Sequence, residues 1–318
     1  MSDNLHVVFG TGPAGRAVGT ELVRLGLPLR MVNRSGKAVL AAVETVGGDV
    51  TDPAFAKEAA HDAATLYFCL NAPNYHRWPQ EFPPLQDAVV SAASAAGARL
   101  VALENLYAYG PTGGAPMTET TATNPANQKS ATRAQMSAKL LAAHDRGDVE
   151  VVIGRASDFI GPGVRNSAMG EFVFGPALKG KKAQTMGRPD TLHTYSYVPD
   201  IGRNLVLLGT QDDAYGRVWH LPNPETLTTR VVITRVYAAL GQQPRLTVLK
   251  RPMLRAIGLF NRNVRELLAT YYQFDAPFVV DDTAFRTAFG GHITEWGEVV
   301  ESTLDSYRSP SDLERSSS

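Results

Sequence analysis

Short apolar runs alternate with longer amphipathic stretches through the first half of this chain. Val7-Val8-Phe9 is the first run and Leu29-Arg30-Met31-Val32 the second. Residues 64–70, 99–104 and 150–156 continue the series. Runs that stay apolar without alternating suit strands covered on both faces, as in a parallel sheet flanked by helices. Helical patterns lie between them. One opens at Arg16, a short one spans 53–60 with Asp52 as its cap, and longer alanine-rich ones span 84–96 and 130–144. This alternation predicts an α/β fold, a doubly wound parallel Rossmann sheet over residues 1–160. Past Gly161 the pattern loosens and Pro and Gly become frequent. Helical stretches at 200–208, 229–240 and 253–269 predict a smaller, partly helical substrate lobe over 161–308, its elements interleaved with the first domain. The polar stretch 309–318 reads as a disordered tail. Ligands of such sheets bind at the carboxyl ends of the strands, so the cleft is expected between the two parts.

Composition narrows the class. A hydrophobic share of 44% supports a substantial core in 318 residues. Lys+Arg equals Asp+Glu, so no overall field attracts nucleic acid or an anionic membrane, and the expected partner is a small-molecule substrate. No apolar stretch approaches the roughly 18–20 residues that span a bilayer, and no signal pattern opens the chain, so the expected location is the cytoplasm. The single cysteine, Cys69, sits in an apolar run and reads as a buried thiol. The scattered histidines show no metal-ligand spacing, and no metal is expected.

The first chemistry lies between the first strand and helix. Gly10-Thr11-Gly12-Pro13-Ala14-Gly15 is G-x-G-x-x-G in the position that cradles a dinucleotide pyrophosphate. Gly10 turns the chain out of the strand, Gly12 admits the phosphates to the backbone, and Gly15 lets the helix pack on the sheet. The helix N-terminus adds N–H groups and partial positive charge. The second strand ends in Asn33-Arg34, where a NAD-selective site carries an acid. A guanidinium there suits a 2′-phosphate, which predicts NADP (NADPH) as the cofactor. Asp49-Val50, at the end of a third strand, is placed to receive the adenine.

From this fingerprint to about Tyr307 the chain resembles the extended and atypical short-chain dehydrogenase/reductase superfamily, in its NAD(P)-dependent epimerase/dehydratase branch. Besides the glycine loop and Gly48-Asp49-Val50-Thr51-Asp52, the match rests on four segments. Leu70-Asn71-Ala72 follows the fourth strand, and Leu106-Tyr107-Ala108-Tyr109-Gly110 the fifth. Arg155-Ala156-Ser157-Asp158-Phe159-Ile160-Gly161-Pro162 follows the sixth, and Tyr197-Val198-Pro199-Asp200-Ile201 lies in the second lobe. The resemblance implies that Leu70, Asn71 and Ala72 pass under the cofactor. It also implies that Ser157 and Asp158 stand where the nicotinamide amide is held. A homodimer through two helices of the first domain is common in the superfamily.

The catalytic pattern departs from that superfamily. Its usual Tyr and Lys, spaced Y-x-x-x-K, are absent from this chain. By resemblance, Asn105 occupies the Ser/Thr place, Lys129 the Tyr place and Arg133 the Lys place. Asn105 can hydrogen-bond a substrate carbonyl. Arg133 can hold a ribose but gives up no proton at neutral pH. Lys129 is either a proton donor or a holder of ribose or phosphate. Leu106 and Tyr107 stand where dehydratases of the branch carry an Asp and a Glu, which argues against sugar dehydration and offers Tyr107 as a phenolic proton donor. Tyr75, His76 and His193 are candidate substrate contacts. The expected function is an NADP-dependent oxidoreductase moving hydride between the nicotinamide and a small, fairly apolar carbonyl or enone. The alternatives are an NAD(P)-dependent epimerase or isomerase and a non-catalytic NADP-binding sensor or interaction protein.

Overall fold

The computed structural model describes residues 4–72, 74, 77–259 and 268–308. Strands and helices alternate as β1 (Leu5–Phe9), α1 (Pro13–Arg24), β2 (Leu29–Asn33), β3 (Glu44–Gly47), α2 (Pro53–Ala59), β4 (Ala63–Phe68), α3 (Trp78–Ala96), β5 (Arg99–Glu104), α4 (Gln128–Asp145) and β6 (Val151–Arg155). All six strands lie parallel in one sheet, and a seventh, Val218–His220, joins it beside β6. The chain therefore returns to the first sheet after residue 160. The strand Asp158–Ile160 and the segment beyond it carry the chain into the second part.

The apolar strand runs are explained by two hydrophobic faces. Val7, Phe9, Leu66, Phe68, Leu100 and Ile153 pack towards α2, α3 and α4. Their neighbours Val8, Tyr67, Val101 and Val152 pack towards α1 and the helix Val198–Thr210. Because successive side chains point to opposite faces, a strand covered on both sides is apolar at every position. On the second face α1 and Val198–Thr210 cross with backbones touching. A Cβ on Gly202 would lie 2.4 Å from the carbonyl carbon of Ala17.

Several boundaries differ from the sequence expectation. α3 starts at Trp78 rather than at 84 and runs through Pro83 and Pro84. These prolines remove two donors from its second turn. Burial of Trp78 and Phe82, edge to face at 5.2 Å, offsets that loss. β3 ends at Gly47, so Asp49 and Val50 fall in the turn before α2. Asp52 does cap α2, its carboxylate accepting the N–H of Ala54 at 2.9 Å.

The second part has its own core of Val173, Phe174, Tyr195, Tyr197, Val232, Ile233, Val236, Trp296, Val299 and Leu304. The helix Trp296–Arg308 belongs to it, while the helix Thr283–Phe289 packs back on the first sheet through Phe285 and Phe289 against Trp219; the sequence pattern did not reveal either helix. The expected helix at 253–269 appears as Arg251–Gly258. The remainder of that stretch is only partly within the described residues, and the polar stretch 309–318 lies outside them. Among the described residues no helix is long and apolar enough to cross a membrane.

Candidate cofactor and substrate cleft

The glycine loop is built from backbone contacts that side chains would forbid. Gly10 has φ +102°, and a Cβ on it would stand 2.7 Å from the carbonyl oxygen of Cys69 at the exit of β4. A Cβ on Gly15 would lie 1.8 Å from the carbonyl oxygen of Gly10. Gly12 is different. Its φ of −66° suits any residue, and a Cβ there would meet nothing within 4 Å. The room at Gly12 is therefore open space, as a cradle for an incoming group requires. No side chain caps α1 at this end, and Arg16 fastens the loop by donating to the carbonyl of Thr11 at 3.1 Å. Pro13 opens the helix, and Ala14 and Gly15 supply first-turn N–H groups. This geometry fits a dinucleotide pyrophosphate.

At the far end of β2, Asn33 shapes a turn. Its Oδ1 accepts the N–H groups of Ser35 at 3.0 Å and Gly36 at 2.8 Å, and its Nδ2 donates to the carbonyl of Lys37 at 2.9 Å. Arg34 stands exposed in this turn. Asp49 is exposed opposite it. Hydrogen bonds from the N–H and hydroxyl of Thr51, and then the Arg34 charge, hold the Asp49 carboxyl below the usual carboxylate range. Val50 is buried beneath.

On the other side of β1, Ala72 is buried, Leu70 half-buried and Asn71 exposed, all just past β4. Ser157 is engaged within the protein. Its N–H donates to Ser196 Oγ and its hydroxyl to the Thr194 carbonyl, each at 2.7 Å. Asp158 Oδ2 lies 2.9 Å from His193 Nε2. The Asp158 side chain keeps 25% of its surface accessible, while His193 keeps 3%. The imidazole is enclosed by Tyr195, Phe274 and Phe278, with ring centroids 4.6, 5.1 and 5.2 Å away. Thirty-five residues separate the pair in sequence, and nothing local announced it.

The expected catalytic positions cluster where β5 ends and α4 begins. Asn105 Oδ1 accepts the N–H of Tyr107 at 3.1 Å, which fixes the carboxamide against its own turn. Tyr107 is half-buried and stacks on Trp78 at 6.0 Å. Asn127 caps α4, accepting the N–H of Ser130 at 3.0 Å. Lys129 and Arg133 follow one turn apart, and both are buried. Arg133 lies inward. Its guanidinium sits 4.6 Å over Phe82, 3.5 Å from the Leu103 carbonyl and 3.9 Å from Glu104. Tyr75 and His76 lie outside the described residues.

Behind this cluster runs a buried polar chain that sequence reasoning missed. Glu104 and Arg155 pair at 3.1 Å. Arg155 also donates to Ser137 Oγ at 2.7 Å and lies 4.8 Å over the ring of Tyr109. His220 Nδ1 is 2.9 Å from the Asp281 carbonyl, which makes that nitrogen the donor. Its Nε2 then accepts the Tyr109 hydroxyl at 2.7 Å. Glu104, a charge closing a buried apolar strand, was the one local signal that a partner must exist. Tyr272 was also missed. It comes from the second part and packs on the cluster of Leu106, Tyr109, Met117, Phe278 and Val280. Among the described residues no group of three or more His, Cys, Asp or Glu side chains is arranged to hold a metal ion.

Comparison with known proteins agrees with this architecture. MoeE5, solved with UDP-glucuronic acid and NAD, superposes with a TM-score of 0.76 at 18% identity, over 95% of this chain and 98% of that one. dTDP-glucose 4,6-dehydratase from Bacillus anthracis, solved with NAD, gives 0.78 at 13% identity, over 96% of each chain. UDP-glucuronic acid 4-epimerase from Bacillus cereus, solved with NAD, gives 0.76 at 13%, over 95% of this chain and 96% of that one. At such identities the likeness establishes the fold. No curated protein matches the chain. The profile of the NAD dependent epimerase/dehydratase family matches residues 7–221, from β1 to the end of the seventh sheet strand. The chain belongs to the NAD dependent epimerase/dehydratase family.

Proposed function

We propose that the protein is an NADP-dependent oxidoreductase acting on a small, fairly apolar carbonyl or enone. The observation that carries the cofactor is the pairing of an open cradle at Gly12 with an exposed Arg34, rather than an acid, in the turn after β2. Gly10, Thr11, Gly12, Pro13, Ala14 and Gly15 would hold the pyrophosphate. Asn33 shapes the turn that presents Arg34 to a 2′-phosphate, and Asp49 and Val50 border the adenine. Leu70, Asn71 and Ala72 would line the cofactor's path, with Asp158 near its nicotinamide end. A bound nicotinamide supplies or accepts a hydride.

The residues of this chain do the rest. Asn105 would polarise the substrate oxygen through its amide N–H groups. Lys129, buried in the first turn of α4, would hold the ribose or phosphate, or give up the proton. Arg133 braces the end of β5. Tyr107, stacked on Trp78, would wall the cleft or donate a proton. His193 orients Asp158 from behind. A second reading, an epimerase that retains its nicotinamide, is favoured by the solved neighbour that holds NAD with UDP-glucuronic acid. Against a nucleoside-diphosphate substrate stands Asp158, a partly accessible carboxylate beside the cleft that would repel a diphosphate.

A panel of aldehydes, ketones and enones, followed by NADPH absorbance, tests the proposal. Consumption of NADPH with at least one compound is the expected result. Tight NADPH binding with no consumption, together with interconversion of a UDP-sugar, would establish the epimerase reading. Tight binding with neither activity would leave a cofactor sensor.

A further inference from the structure

Asp158 stands on the seam between the two parts. The Ala156 N–H donates to the Glu104 carbonyl at 2.9 Å, which sets the exit of β6 beside the exit of β5, where Asn105 follows. Two residues on, the strand Asp158–Ile160 runs parallel to Tyr195–Tyr197 of the second part, with Asp158 opposite Tyr195. A seam at the carboxyl ends of the strands is where such sheets take their ligands. The two carboxylate oxygens have different surroundings. Oδ2 accepts from His193 Nε2 at 2.9 Å. Oδ1 has no hydrogen-bond partner among the described residues, and the side chain keeps 25% of its surface accessible. A carboxylate that only meets water needs no fixed orientation. This one is fixed from behind by an imidazole that three aromatic rings enclose. The result is one oriented, open acceptor oxygen, as a preorganised recognition group requires.

We infer that Asp158 determines substrate specificity, its open oxygen accepting the hydrogen bond of a substrate hydroxyl close to the carbonyl. The inference deepens the oxidoreductase reading and rests on it, naming the substrate class as hydroxy ketones and hydroxy aldehydes. The two side chains divide the recognition. Asn105 would donate to the carbonyl oxygen, while the Asp158 carboxylate can only accept. Neighbouring strands lie about 4.8 Å apart, so groups held from adjacent strand exits belong on neighbouring atoms of a small molecule. A hydroxyl suits this place better than an ammonium group. Lys129 is buried in the first turn of α4, where the other expected catalytic positions cluster, and it would repel a second cation.

Two measurements test this on the full-length protein. The first is a crystal structure with NADP⁺ bound. A near-attack contact, two covalent bonds and one hydrogen bond together place the accepting oxygen within about 9 Å of the nicotinamide C4. Asp158 Oδ1 is expected inside that distance with space between. An oxygen farther away, or separated from C4 by protein, overturns the inference whatever the activity. The second compares reduction of 2-hydroxyacetophenone and 2-methoxyacetophenone by NADPH. The ether keeps the ketone and its neighbouring oxygen and replaces the donor proton with a methyl group. The wild type should favour the hydroxy ketone by about 10- to 100-fold in kcat/KM, the range of one hydrogen bond to a charged acceptor. In Asp158→Ala that ratio should collapse towards one, and in Asp158→Asn, with a neutral acceptor, it should fall between. A general distortion of the site would lower both rates and leave the ratio standing. Equal use of the two ketones by the wild type overturns the inference. If the wild type reduces neither these nor any other carbonyl, the oxidoreductase reading fails and this inference falls with it. If the wild type is active and its ratio survives in Asp158→Ala, the inference fails alone.

Discussion

Glu104 and Arg155, the last residues of two neighbouring strands, face each other 3.1 Å apart with almost no access to water. Arg133 approaches the same carboxylate at 3.9 Å, so one buried anion serves two buried guanidiniums. Removing one member of a buried pair leaves an uncompensated charge. Glu104→Ala is therefore expected to cost about 3–5 kcal/mol in urea unfolding at neutral pH. A loss below about 1 kcal/mol would show that water or rearranged side chains satisfy Arg155.

Two of the loop glycines, Gly15 and Gly12, should behave differently. A Cβ on Gly15 collides with the Gly10 carbonyl at 1.8 Å, where backbone, not a flexible side chain, must move. Gly15→Ala should lose at least about 3 kcal/mol of stability, the upper end of overpacking costs. Gly12 faces open space, so Gly12→Val should unfold at the wild-type denaturant midpoint yet bind no NADPH. Normal binding by Gly12→Val in calorimetry would remove the pyrophosphate from this loop.

Two buried histidines predict acid sensitivity. Burial holds His220 and His6 below the usual imidazole range. In the unfolded chain both take up a proton near pH 6.5, whereas the folded chain keeps them neutral to lower pH. The unfolded state thus binds more protons as pH falls through about 6.5, and stability falls with it, by up to about 1.4 kcal/mol per pH unit for each histidine. Urea unfolding between pH 7.5 and 5 should show this slope, and His220→Gln should reduce it. A flat profile over that window would mean that both imidazoles ionise in place.

The sheet and the cofactor loop were legible because their signals are local. Val7-Val8-Phe9 running into Gly10 states strand, turn and helix within a few residues. The start of α3 was misread because Pro83 and Pro84 look like a beginning, and only the core contacts of Trp78 and Phe82 show why the helix tolerates them. Most of the cleft was illegible for another reason. Asp158–His193 and Tyr109–His220 are joined across 35 and 111 residues by the way the second part folds back. Its short strands, such as Leu192–His193, carry too few residues for any period to show.

The second lobe should also reveal which residues face substrate. His193 is buried among three aromatic rings and pairs with Asp158, whose side chain stays partly accessible. Asp158→Asn removes the charge and keeps a hydrogen-bonding group of the same shape. In the NADPH-loaded protein it should lower repulsion towards UDP, so UDP affinity should rise while NADPH affinity changes little. Equal, weak UDP binding by both proteins would take Asp158 out of the substrate path.

The central claim is that this cleft takes NADP, and calorimetric titration with NADPH and with NADH tests it most directly. Arg34 at the exposed turn should make the wild type prefer NADPH by roughly ten- to a hundred-fold, the value of one charged, bidentate contact of about 1.5–3 kcal/mol. In Arg34→Ala that preference should vanish while NADH affinity holds. Equal affinities in the wild type, or tighter binding of NADH, would contradict the account.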